Sequence, residues 1–589
     1  MKRSEQVISD TWDLEMMYDE NNVDRDIENC FKMVEEIKKY KDIEFNKDVI
    51  IEALDLYFKL LIEVENIYVY YSHTQDTDFN NDKVISKFNT IKQEYNKMMV
   101  ELSFLIPQIS QCDNELLNSI LDDKDLVEYH KTIRNILNNK TRYLSVEQEK
   151  IISTYNLNDS AAYQLFSAFT NSDMRFKDAV DTQDKSYEMS EGKYGNYIRS
   201  KDRILRKSAF ESILGEYSKF NQTLATNYIS ELKDSLISMK NRSYNSTLQQ
   251  ALEPNQIPEY VYTNLLNSVE DNIEINHQYL ELRKKELKLD DLSLYDVYVS
   301  MVEDVDKKYP FEEGKDMVEQ ALAVFPKEYT KVLNDALNKR WIDKYENEGK
   351  RSGAYSGGSY KSVPYMLLNY HDDINDVFTL AHELGHSMHS YFANESNPYQ
   401  NANYKIFIAE VASTVNELLL INHLLENETS SKIKKYLYNY LLEQFRTTMI
   451  RQTMFARFEL ESHKLVEENK EISNAVLNDL YYDINKKYFG NDIEVNELIK
   501  YEWSRIPHFY YNYYVYQYAT SFSISINIVD RILAKEEGII DKYLSFLKAG
   551  DSVYPIEALK IVDIDLSNQD VFDNAMKRYQ KTIELYEQA

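Results

Sequence analysis

Cysteine is almost missing from this chain: Cys30 and Cys112 are the only two in 589 residues. Two thiols cannot build a disulfide framework, so the chain reads as one suited to a reducing compartment. Glycine (12) and proline (9) are equally scarce, 21 of 589 residues against a usual share of about 12%. With so few backbone breakers, the long Leu/Ile/Lys/Glu-rich stretches predict an almost entirely helical fold. No run of 18 apolar residues exists, which excludes a transmembrane helix. The first ten residues, Met1 to Asp10, lack the apolar core of an export signal, so the expected location is the cytoplasm. Positive charge is also short. Lys and Arg number 68 against 98 Asp and Glu, a net charge of −30 that disfavours nucleic acid and anionic membranes as partners. The acidic surplus serves solubility, or draws cationic molecules toward acid-lined walls.

Length alone would allow several domains. However, no Pro/Ser-rich linker, low-complexity run or repeat divides the chain. The expected division is an N-terminal helical region over 1–110 and a larger helical body over 111–589.

Histidine numbers only 10, yet three fall between 382 and 389. In Ala381-His-Glu-Leu-Gly-His386 two imidazoles stand at i and i+4, which places them on one helix face. At that spacing they can close on one tetrahedral metal ion, and zinc is the usual occupant. Glu383 follows the first ligand and can act as general base on a metal-bound water. Asn375-Asp-Val-Phe-Thr-Leu380 supplies an Asn/Asp helix start, so the motif is expected on a helix. Lys405 to Leu420 reads as a second helix, with Glu410 its first acid, 24 residues beyond His386. A loop containing Pro398 would let this helix return a carboxylate to the metal. Glu410 is flanked by Phe407, Ile408, Val411 and Ala412, where a lone carboxylate would be costly to bury without a partner. His382, His386 and Glu410 are therefore the expected metal ligands. Two His and one Glu leave the fourth position for water, as in a catalytic site. His389 is expected to pack or to support the ligands, and His371 to cap the helix or face solvent. Ser413 and Glu417 are candidates to orient the ligands.

His382 to His389 followed by Phe407-Ile-Ala-Glu-Val-Ala-Ser413 resembles the thimet-type zinc oligopeptidases, and within them the oligoendopeptidase F family. The likeness runs nearly end to end. It includes Asp10-Thr-Trp-Asp-Leu14, Leu144 to Glu149, Phe169 to Asp173, Arg206 to Phe210, Lys350 to Tyr360 and Ile506 to Tyr511. It implies a mainly α, multi-helical zincin-type metallopeptidase with a small β-sheet beside the active-site helix, and two helical lobes around a deep channel. It also implies one zinc ion per chain, short peptides as substrates and cleavage at internal bonds.

Five of the 12 glycines fall between 349 and 385, and Val363 to Tyr370 reads as one of the few strands. A peptidase must hold its substrate extended, and addition to a sheet edge does so regardless of side chains. Gly353, Ala354 and Tyr355, in the loop before that strand, are the expected substrate contacts; a plain hairpin packing the metal helix is the other reading. Six tyrosines lie within 510–518. Read as a helix, that segment puts His508, Tyr511, Val515 and Tyr518 on one face. His508, Tyr511 and Tyr518 are the expected donors to the oxyanion of amide hydrolysis, with Tyr514 a further substrate contact. Two other readings remain open. One is an exopeptidase, of carboxypeptidase or dipeptidase type, on the same metal site. The other is an inactive peptide-binding helical protein, against which the intact Glu383 argues. Cleavage preference, physiological substrates and oligomeric state are not legible in the sequence.

Overall fold

The computed structural model describes all residues except 143, 146, 147, 149, 150, 153, 155–159, 303–306 and 492. Half of the expected Leu144 to Glu149 segment, residues 146, 147 and 149, therefore lies outside the described residues. The chain is mainly helical, and three sheets of two or three very short strands are its β structure among the described residues. Two compact units share the chain, each built from three separate segments. Unit one comprises Met1–Thr141, Asp306–Glu426 and Ile528–Ile564; unit two comprises Arg142–Val305, Asn427–Asn527 and Asp565–Ala589. The boundary expected near residue 110 falls inside the first segment of unit one. Among the described residues no helix is long and apolar enough to cross a membrane.

In unit one, helix α1 (Lys47–Thr77) starts where the Asn46 side chain accepts the Val49 N–H. Its Ile67, Tyr70 and Tyr71 pack with Trp12, Phe88, Tyr365 and Leu367 in one core. The strands β1 (Ile342–Asp343), β2 (Tyr355–Gly357) and β3 (Tyr365–Leu367) form a sheet in the order β1-β3-β2. The β1–β3 pair is parallel and the β2–β3 pair antiparallel. The segment expected as a strand over Val363 to Tyr370 is thus the middle strand, paired on both sides, and β2 is the outer one.

Alternation assigns the two faces of β2. Tyr355 turns toward α1, where its hydroxyl donates to Asp76 at 2.8 Å and its ring packs beside Trp12 and His73. Ser356 turns the other way, its Oγ 2.8 Å from that of Ser387 on helix α2 (Ile374–Ser396). Helix α3 (Ile406–Asn427) follows a short helical turn at Tyr399–Ala402.

In unit two, Phe458 of helix α4 (Arg451–Glu467) packs against Tyr228, Trp503 and Phe509. Helix α5 (Tyr516–Leu533) begins within the tyrosine-rich segment.

Candidate active site

Asp373, two residues before the expected Asn375, caps α2: its carboxylate accepts the Asn375 N–H while Asp376 accepts the Asp373 N–H. Two acids sharing the first turn also suit the positive end of the helix dipole. The helix then carries His382 and Glu383 on one turn and His386 on the next. Gly385 decides how closely α3 can approach. A Cβ there would lie 2.5 Å from the Ala412 oxygen and the Ser413 Cα. Asn416, fully buried on α3, donates to the Ala381 carbonyl at 3.2 Å and accepts from the Tyr329 hydroxyl at 3.1 Å. This contact locks the two helices together and brings Glu410 over the histidines.

The Nε2 atoms of His382 and His386 stand 3.2 Å apart, and Glu410 Oε2 lies 3.4 and 3.5 Å from them. A tetrahedral zinc with bonds of about 2.0–2.1 Å separates its ligand atoms by about 3.3 Å. The three side chains therefore fit such an ion without moving. Among the described residues this is also the single group of three or more His, Cys, Asp or Glu placed to hold a metal. Glu417 accepts the Nδ1–H of His382 at 2.5 Å, which leaves Nε2 with its lone pair free for a ligand role. Ser413 donates to Glu410 Oε2 at 3.0 Å and steadies the carboxylate.

These groups shift one another's ionisation. Burial alone would push the His382 imidazole down, but Glu417, with Glu383 and Glu410, carries it up to about 9. Burial likewise opposes ionisation of Glu410, and His386 and His382 overcome it, holding the carboxyl down at about 2. Glu383 is buried, and burial raises its carboxyl above the ordinary range against the pull of the two histidines. Among the described residues nothing donates a hydrogen bond to its carboxylate. His389 is fully buried and stacks on Tyr404 with ring centres 3.7 Å apart, so it packs rather than binds. His371 is exposed; its backbone N–H donates to Asp376.

Gly353 has φ +82°, a left-handed conformation that favours glycine, and the space where a Cβ would stand is open. With Ala354 it borders a cavity of 290 Å³ that Thr379, one turn before Glu383, also lines. Tyr355 offers this side only its backbone, because its ring faces α1.

His508, Tyr511, Tyr514 and Tyr518 belong to unit two. The helix expected through this segment is broken and starts only at Tyr516, so of these four residues Tyr518 alone lies on it. Pro507–Tyr510 is a single 3-10 turn, and Tyr513 has φ +56°. That conformation, unusual for a bulky side chain, is held from outside the segment. Glu459 on α4 accepts the Tyr513 N–H at 2.6 Å, His463 packs on the Tyr513 ring at 4.7 Å, and Thr247 bonds its hydroxyl. The bend still gathers the expected residues. The rings of Tyr511, Tyr514 and Tyr518 lie 6.3, 6.1 and 6.2 Å from that of His508. Val515, expected on the same face, is fully buried instead. Burial lowers the His508 imidazole, which favours its neutral form. Tyr511 is pushed up to about 12, chiefly by hydrogen bonding with Tyr163. Glu459 and Thr247 could not have been found from the sequence, since both lie far from the segment they hold.

Residues 196–578 match the family model described as peptidase family M3, and residues 108–176 match the one described as oligopeptidase F. The chain is 36% identical to oligopeptidase PepF of Bacillus subtilis over 100% of its own length and 88% of the relative's. It is 35% identical to an oligoendopeptidase F homolog of Borreliella burgdorferi, covering 99% of both chains. The crystal structure of a putative peptidase from Chlamydophila abortus superposes with a TM-score of 0.92 at 32% identity, over 100% of both chains. With the His-His-Glu centre and this likeness along its whole length, the chain belongs to peptidase family M3, in its oligoendopeptidase F group.

Proposed function

We propose that this chain is a zinc-dependent endopeptidase that hydrolyses internal bonds of short peptides, with one zinc per chain on His382, His386 and Glu410. Membership of a metallopeptidase family supports the reaction class. The names oligopeptidase and oligoendopeptidase, carried by its relatives, support short peptides and internal bonds. The observation that carries the metal assignment is the mutual spacing of three ligand atoms at 3.2, 3.4 and 3.5 Å. Zinc bound there would polarise the scissile carbonyl and acidify a water.

The protein's own part is to move protons and to hold charge. Glu383 takes the proton of the attacking water and gives it to the leaving amine nitrogen. His508, Tyr511 and Tyr518 donate to the carbonyl oxygen as negative charge develops on it. The backbone of Gly353, Ala354 and Tyr355 holds the peptide extended beside β2, with Tyr514 a further contact. The two free cysteines support a reducing compartment, hence the cytoplasm.

The test is to strip the protein with a chelator, restore zinc alone, and read the products of a mixed peptide library by mass spectrometry. Zinc-dependent internal cleavage supports the reading. Release of only terminal residues or dipeptides would favour an exopeptidase, and binding without cleavage a peptide-binding protein.

A further inference from the structure

Unit one holds a second cavity along α2 that the chemistry above does not use. It has a volume of 330 Å³, and Phe58, Tyr360, Tyr399 and Tyr404 contribute aromatic rings to its wall. Glu65 on α1 is the one acidic residue lining it, and no Lys or Arg does. One Glu65 oxygen accepts the Tyr360 N–H at 2.9 Å. Among the described residues nothing donates to the other oxygen and no cation pairs with it. The nearby Lys361 is engaged instead by Glu63, at 2.5 Å. Burial holds the Glu65 carboxyl above its ordinary range, against the opposing pull of the Tyr360 hydrogen bond. A half-buried carboxylate without a counter-ion, ringed by aromatic faces, has the chemistry that selects an ammonium or guanidinium group.

Its position relates it to the metal ligands. Ser390, on the cavity wall, continues the His382–His386 stripe by one turn, about 6 Å of helix rise. Gly358, also on the wall, follows directly on β2. A peptide laid along β2 advances about 3.3 Å per residue, so two or three residues span from the ligands to the cavity. If the peptide adds antiparallel to β2, the Gly358 end receives residues N-terminal to the scissile bond.

We propose that this cavity is a subsite for a cationic group of the substrate, two or three residues N-terminal to the cleaved bond, with Glu65 as counter-ion. The proposal rests on the endopeptidase reading. A Lys or Arg side chain and the peptide's own α-ammonium share the required chemistry.

The experiment uses the zinc-loaded full chain and matched peptides carrying Lys or norleucine at those positions, each with a free or an acetylated N-terminus. The expected Lys-to-norleucine ratio of kcat/KM is roughly tenfold, the worth of one hydrogen bond to a charged group. Glu65→Gln keeps an acceptor for Tyr360 and should bring the ratio near one; because it is a ratio, general losses cancel. A preference for the free over the acetylated N-terminus, lost in the same variant, would assign the site to the α-ammonium and equally support the proposal. Wild-type ratios near one for both comparisons overturn it without need of the variant, as does a preference that survives Glu65→Gln. If no peptide is cleaved at all, the endopeptidase reading fails and the subsite falls with it.

Discussion

Glu417 accepts the Nδ1–H of His382 at 2.5 Å, from a position two turns beyond Glu410 on the same helix. One helix thus carries both Glu410, a proposed zinc ligand, and the carboxylate that orients His382, another proposed ligand. Removing such an orienting carboxylate typically costs about 10–100-fold in metal affinity or activity. Glu417→Gln is expected to bind zinc roughly tenfold more weakly and to recover part of its activity at high zinc. Competition against a chelating dye measures this, and an unchanged affinity would mean that Glu417 has no part in the site.

Gly385 permits the close packing of α2 on α3. A Cβ there would sit 2.5 Å from α3 backbone, which cannot yield as a side-chain tip can. Overpacking of this kind costs about 1–3 kcal/mol. Gly385→Ala should lower the melting temperature by a few degrees. It should also weaken zinc binding, because Glu410 would be pushed away from the histidines. A variant with wild-type melting and wild-type zinc affinity would show that the helix contact does not set the ligand spacing.

Glu459 sets an unusual pH dependence. It is fully buried, and burial raises its carboxyl from 4.5 to about 8 despite the Tyr513 N–H that it accepts. Between those values the folded chain keeps a proton that the unfolded chain has released. Its contribution to stability is therefore complete below the unfolded pKa and declines as pH rises toward 8. Most paired carboxylates act in the opposite sense. Glu459→Gln, which can still accept from Tyr513, should flatten the fall in melting temperature between about pH 5 and 8 by a few degrees. Melting curves of both proteins across that range, compared as differences, would refute the account if they ran parallel.

The grouping of His382, His386 and Glu410 was legible because i,i+4 histidines and an acid in an apolar helix are local patterns. What escaped the sequence depends on contacts between distant segments. Tyr513 leaves the helical region because Glu459, 54 residues earlier, takes its N–H. The strand near Val363 was recognisable, but not that β1 and β2 would occupy both its sides, which moves the outer edge to Tyr355–Gly357. The two units interleave three segments each, so no shift in composition marks a boundary. The Glu65 cavity likewise draws its wall from residues scattered between 58 and 404.

The central claim is that His382, His386 and Glu410 hold zinc while Glu383 moves the proton. Its most direct test is one measurement on Glu383→Gln: zinc per chain by elemental analysis, with kcat/KM for a short peptide on the same sample. The account requires one zinc per chain, as in the wild type, and turnover reduced about 10²- to 10⁴-fold, the usual worth of general-base catalysis. Near-wild-type turnover by the zinc-loaded variant would contradict it, because another group would then have to take the proton.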